Sequence, residues 1–154
     1  MLERPTLALL TDEILTTHDG KEAAPPPPPG VISGLVMRLM HAMSLEDWDA
    51  AAEVLHPDCE FSIPATHVLF PARRAVGRAA VVDAVRRNLA MVKDQENRLE
   101  QFVEEGSTGI MVVRELGKTT KGLPYQGWGF FIFTVEDGLL RSMREFTVAS
   151  NQDD

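Results

Sequence analysis

The stretch YQGWGFFIFTVEDGLLRSMREFTVA, Tyr125 to Ala149, decides the fold. Aromatic and β-branched residues fill Tyr125 to Val135, and a second run with strand-like alternation fills Leu139 to Ala149. Between them Asp137-Gly138 is a hairpin signal, because Gly adopts positive φ without steric cost. Two strands joined this tightly must be antiparallel. Working back, Gly109 to Leu116 and Leu99 to Glu104 also read as strands, set off by turn signals at Glu105-Gly106 and Gly117 to Gly122. Their short connections cannot cross over, so the sheet is expected to be mainly antiparallel.

Further upstream the period changes. Ile32, Leu35, Val36, Leu39, Met40 and Met43 recur at helical spacing, with Ser33 as the expected cap. Ser44 and Asp47 form a variant capping box for a second helix through Trp48, Ala51, Ala52 and Leu55, which His56-Pro57-Asp58 should end. Cys59 to Pro64 reads as a short strand, followed by a loose connection that Gly77 closes. Val81, Val82, Val85, Leu89 and Val92 mark a third helix from Arg78 to Val92. Helices first and consecutive strands after predict an α+β domain over 31–150, with three N-terminal helices packed on a strongly curved sheet around a cone-shaped interior. A pocket is expected at its wide end. Residues 1–30 are expected to stand apart and to be partly disordered, because Pro25 to Pro29 form a stiff polyproline spacer. Residues 151–154 should be a flexible tail.

With 154 residues, 44% of them hydrophobic, the chain supports one core. Fifteen basic against 23 acidic side chains give a formal charge of −8, which argues against nucleic-acid backbones and anionic membranes as partners. The single Cys59 excludes a disulfide framework and thiolate-rich metal clusters. The N-terminus lacks the basic start and long apolar run of a secretory signal, and no apolar run has the length of a membrane span, so a cytoplasmic location is expected. No cofactor or metal is expected. Glycine-rich phosphate loops, zinc-binding His pairs, nucleophile elbows and calcium loops are missing from the sequence, and His18, His41, His56 and His67 lack ligand spacing. Gly127-Trp128-Gly129 opens a strand and is no dinucleotide fingerprint.

The remaining chemistry lies in strand alternation. If Ile63 packs outward, Glu60 and Ser62 share the inner face. Val112, Arg114 and Leu116 share one face of their strand, and Met111, Val113 and Glu115 the other. Met143, Glu145 and Thr147 alternate with Arg144, Phe146 and Val148. A buried Arg114 requires a carboxylate partner, which Glu145 or Glu60 could supply. Two carboxylates around one guanidinium, with Ser62 nearby, could hold a water or move a proton. The alternative is a solvated face or a subunit interface. His67 lies in the loop after the first strand, where it could act as a mobile base, and His41 could point into the pocket mouth. Trp128 and Tyr125, each with a polar atom to satisfy, are candidate substrate contacts, as is Met143. Cys59 reads as a small buried hydrophobe, and His56 as a structural residue at a helix end.

This order of elements resembles the SnoaL-like polyketide cyclases of the nuclear transport factor two-like, or ketosteroid isomerase-like, superfamily. The likeness runs over about residues 32–149. It rests on Leu45 to Ala51, His56-Pro57-Asp58-Cys59-Glu60-Phe61, Gly77-Arg78-Ala79-Ala80-Val81, the strand from Gly127 to Val135 with Asp137-Gly138, and Met143-Arg144-Glu145-Phe146. It implies a cone-shaped α+β barrel, a homodimer formed through the sheet and an apolar cavity for a small apolar or cyclic ligand. The ketosteroid isomerase aspartates fall on Ile63 and near Gly129, which argues against that mechanism. In the pattern of the limonene epoxide hydrolase-like members, Arg114 and Glu145 are kept, while a second aspartate becomes Leu116 and Glu60 would have to replace it.

Three functions follow. The first is a cofactor-independent acid/base enzyme, an isomerase, cyclase/lyase or epoxide-hydrolase-like protein, using Arg114 and Glu145 with Glu60 or His67. The second is a noncatalytic binding or accessory protein in which Arg114 and Glu145 satisfy each other. The third is a protein-interaction module with a collapsed cavity.

Overall fold

The computed structural model describes residues 14–17, 30–64 and 73–149. Three helices, α1 (Val31–Ser44), α2 (Trp48–Glu53) and α3 (Arg78–Leu89), alternate early in the chain with strands β1 (Ile14–Thr17), β2 (Leu55–Ile63) and β3 (Arg73–Val76). Four long strands follow: β4 (Val92–Glu105), β5 (Thr108–Thr119), β6 (Pro124–Glu136) and β7 (Leu139–Ala149). They form one seven-stranded sheet in the order β1-β4-β5-β6-β7-β2-β3. Neighbours are antiparallel except β2 and β7, which run parallel, as only strands with a long intervening connection can. The sheet does not close, and its edges are β1 and β3. The architecture is the expected α+β cone, with the helices covering the concave face.

The core lies between that face and the helices. Leu99, Phe102, Met111, Val113 and Leu140 from the sheet meet Ile32, Val36, Met37 and Val81 from the helices, all 2% exposed or less. Phe131 and Phe133 stack with ring centroids 5.9 Å apart. No helix among the described residues is long and apolar enough to cross a membrane.

Four local expectations are corrected. Ile14–Thr17, within the segment expected to stand apart, pairs with β4. Arg73–Val76, expected to be part of a loop, is an edge strand on β2. His56-Pro57-Asp58 lies inside β2 instead of ending a helix. Its proline, with no donor for a ladder, falls where the β2–β7 register shifts between Leu55 and Glu60. β4 begins at Val92 instead of Leu99, because the buried polar residues Gln95 and Asn97 mask its apolar alternation.

The helix starts differ as well. Ser33 does not cap α1. Glu104 of β4 does so from across the fold: Oε2 accepts from the Ile32 amide at 2.9 Å and Oε1 from the Ser33 hydroxyl at 3.2 Å. Gly30 precedes the helix at φ 139°, and a side chain there would overlap the Glu104 carboxylate. The cap of α2 is Asp47, which accepts from the Ala50 amide at 3.0 Å, while Ser44 donates back to the His41 carbonyl at 2.7 Å. Replacing Glu104 by Ala orphans the Ile32 amide at the start of α1 and removes the acceptor of the Ser33 hydroxyl, and should lower unfolding free energy in urea by about 1–2 kcal/mol. A change within error would show that the cap contributes nothing.

Candidate functional site

Strand alternation delivers side chains to the cavity. On β5, Met111, Val113 and Glu115 are buried and face inward, while Val112, Arg114 and Leu116 face outward. On β7, Met143 and Glu145 face inward. Phe131 and Phe133 of β6, Phe61 of β2, and Gln95 and Asn97 of β4 complete the sheet side. Met40 and Met43 of α1 and Val85 and Asn88 of α3 form the roof. The hollow leaves about 80 Å³ for the centres of water-sized molecules, which is room for several waters.

Its walls are apolar apart from two carboxyls and three amides, and no Lys, Arg or His is among the described lining residues. Glu115 is 3% exposed and Glu145 7%. The Tyr125 hydroxyl donates to Glu115 Oε2 at 3.2 Å, and the Thr147 hydroxyl to Glu145 Oε1 at 3.4 Å. Space for Glu115 comes from the glycines of β6. Glu115 is in register with Gly127, and a Cβ at Gly129 would stand 2.7 Å from Glu115 Oε1 and 2.6 Å from the Phe131 ring. The Gln95 amide donates to Asn97 Oδ1 at 3.2 Å, which leaves Gln95 Oε1 buried with no hydrogen-bond partner. Asn88 lies close enough to favour the charged form of Glu145, yet neither end of its amide completes a hydrogen bond of normal geometry.

Loss of water dominates the electrostatics. Burial pushes Glu115 up to about 7 against the stabilising bond from Tyr125. Burial, and then the charge of Glu115, push Glu145 up to about 8, opposed by Thr147, Asn88 and the more distant Arg73. Tyr125 is driven far up by burial and by Glu115, so it remains a donor. The arrangement is a pair of carboxyls that exchange protons near neutral pH in an apolar hollow.

Of the residues expected from sequence, Glu145 and Met143 line the hollow. Tyr125, 4% exposed, reaches it only through Glu115. Arg114 does not face Glu145. It lies on the outer side, with a 41% exposed side chain and its Nε 3.5 Å from Glu100. Glu60 and Ser62 also point outward, because Cys59, Phe61 and Ile63 take the core side of β2; Ile63 is 2% exposed. Glu60 instead makes a forked bond to Arg74, at 2.8 and 3.0 Å, which lowers its pKa. It therefore supplies no second carboxylate for an epoxide-opening site. Trp128 is outward too, in register with Arg114. His41 is not a lining residue. His67 lies outside the described residues. Cys59 is buried, and burial raises its thiol pKa.

Glu115 is the residue that sequence reasoning missed. Its signal was present: it shares the face of Met111 and Val113, and glycines stand across from it on the next strand.

A SnoaL-like domain model matches residues 36–143, most of the chain. The chain belongs to the SnoaL-like family. No match is found among curated proteins. Among solved structures, an NTF2-like protein of unknown function from Burkholderia pseudomallei is similar at 14% identity and TM-score 0.67, covering 77% of this chain and 92% of that one. A putative ketosteroid isomerase from Kribbella flavida is similar at 18% identity and TM-score 0.59, covering 78% and 79%. An LEH-like epoxide hydrolase from M. tuberculosis is similar at 21% identity and TM-score 0.57, covering 74% and 80%. At these identities the likeness is one of fold, and a fold does not fix the site it carries.

The raised carboxyls predict how this SnoaL-like protein responds to pH. The folded state keeps protons that the unfolded chain releases above about 4.5, so their stabilising effect is complete below that pH. It is lost as pH rises through about 7 to 8. Urea unfolding should show a fall of more than about 1.4 kcal/mol from pH 5 to 9, equivalent to a tenfold change in the proton affinity of one group. The Glu115→Gln/Glu145→Gln double variant should show less than half of that fall, and an equal fall in both proteins would contradict the assignment.

Proposed function

We propose that the hollow is a cofactor-independent acid/base site that moves a proton on a small apolar cyclic molecule. The observation that supports this is the pair of buried carboxyls in one cavity, unaccompanied by a basic side chain among the described lining residues. A group that titrates close to the working pH serves best as a general acid or base. Glu145 exchanges the proton. Glu115, held by Tyr125, tunes the proton affinity of Glu145 through its charge. Met143, Met40 and Phe131 supply the apolar walls. A purely binding pocket was expected to show Arg114 and Glu145 satisfying each other, and these two lie on opposite faces of the sheet. The similar structures named as an isomerase and an epoxide hydrolase agree with acid/base chemistry on this scaffold.

Exchange of carbon-bound hydrogen for deuterium, followed by NMR over a panel of small cyclic carbon acids, neutral and charged, tests the reading. Glu145→Gln should slow exchange at least about 100-fold, as loss of a general base does. Arg114→Ala should change it less than about threefold, because Arg114 does not face the cavity. Equal rates in wild type and Glu145→Gln would refute the role.

We also infer a homodimer through the outer face of the sheet. Ile110, Phe130 and Val148, on three neighbouring strands, are 45%, 39% and 55% exposed, and such apolar clusters mark contact surfaces. Light scattering should give twice the chain mass for wild type and the single-chain mass for Phe130→Asp. A wild-type monomer would exclude the interface.

A further inference from the structure

Among the unsatisfied side-chain atoms of the hollow, acceptors outnumber donors. Each carboxyl already accepts from one hydroxyl: Tyr125 of β6 for Glu115 on β5, and Thr147 for Glu145 on β7. Gln95 of β4, 9% exposed, has its amide orientation set by Asn97, so that Oε1 is a buried acceptor with no donor. From α3 comes Asn88, with both amide atoms unpartnered. Wall residues from α1 and β2, such as Met40, Met43 and Phe61, are apolar, and the cation that acts on Glu145 is Arg73 of β3, outside the lining. Two carboxyls and the orphan oxygens of Gln95 and Asn88 therefore face a space in which the Asn88 Nδ2 amide is the one unpartnered side-chain donor among the described lining residues.

A carboxylate ligand would bring a like charge into this hollow, and a neutral ketone could accept from Asn88 Nδ2 but would leave the Gln95 and Asn88 oxygens without a donor. An alkylammonium brings N–H donors and a positive charge, while its hydrocarbon body suits the methionines and the Phe131 ring, whose face attracts cations. Resting on the reading of this cavity as the working site, we propose that it takes a small apolar amine as its ammonium ion, with Glu145 as counter-ion and Gln95 Oε1 as second acceptor. The cation enters as one carboxyl proton leaves to solvent, so charge in the hollow stays balanced. The other carboxyl keeps its proton and remains available as an acid.

Calorimetry with three probes of similar shape tests this: cyclohexylmethylamine, cyclohexylmethanol and cyclohexanecarboxylate. At pH 8 the amine should bind at least about tenfold tighter than the alcohol, and the carboxylate should bind weakest. Amine affinity should rise with pH by up to about tenfold for each pH step of one between pH 5.5 and 7. Titrations in buffers of different ionisation enthalpy should report release of about one proton per amine bound at pH 6. Glu145→Gln should weaken the amine about 10–100-fold and leave the alcohol within about threefold. Gln95→Leu, a milder change, should weaken the amine about threefold to tenfold. Alcohol or carboxylate binding as tightly as the amine, amine binding without proton release, or no binding of any probe would overturn the proposal. Proton exchange on neutral carbon acids without amine preference would overturn it while sparing the acid/base reading. Amine binding without exchange on any carbon acid would do the reverse.

Discussion

Two carboxyl groups held out of water in one hollow are the constraint around which this domain is arranged. An isolated buried charge costs several kcal/mol, and a protein avoids most of that cost by leaving the group protonated or giving it donors. Both means operate here. Tyr125 and Thr147 each donate to one carboxyl, and burial keeps protons on the pair to near-neutral pH. The glycines of β6 follow from the same constraint, since a side chain at Gly129 would occupy the space of the Glu115 carboxyl. The methionines of the roof supply the dry surroundings that hold the two acids out of water.

The fold was more legible than the site. The Asp137-Gly138 turn, the helical spacing from Ile32 to Met43 and the stripe from Val81 to Leu89 reported their elements, because apolar period and turn chemistry are local properties. Elements whose formation depends on a distant partner were hidden. β1 and β3 are short edge strands made by pairing, and the cap of α1 comes from Glu104, more than seventy residues away.

Side-chain direction was the harder question. On β5 both alternating sets contain apolar residues, Val112 and Leu116 on one side and Met111 and Val113 on the other, so alternation alone does not say which set meets the helices. Packing decides it: Met111 and Val113 are buried with Leu99 and Phe102, and Glu115 goes in with them. Arg114 is thereby turned outward. On β2 the signal was clearer, since Cys59, Phe61 and Ile63 form an apolar set that sends Glu60 and Ser62 to the other face. Membership of the SnoaL-like family explains the architecture and leaves the chemistry to these side chains.

The most direct measurement is the titration of the glutamate carboxyls themselves, by carboxyl-carbon NMR of protein labelled at Glu. The account predicts two resonances that move near neutral pH, one lost in Glu115→Gln and the other in Glu145→Gln. If every glutamate resonance completed its titration below about pH 5.5, the carboxyl pair would carry no protons at neutral pH and the account of the site would be wrong.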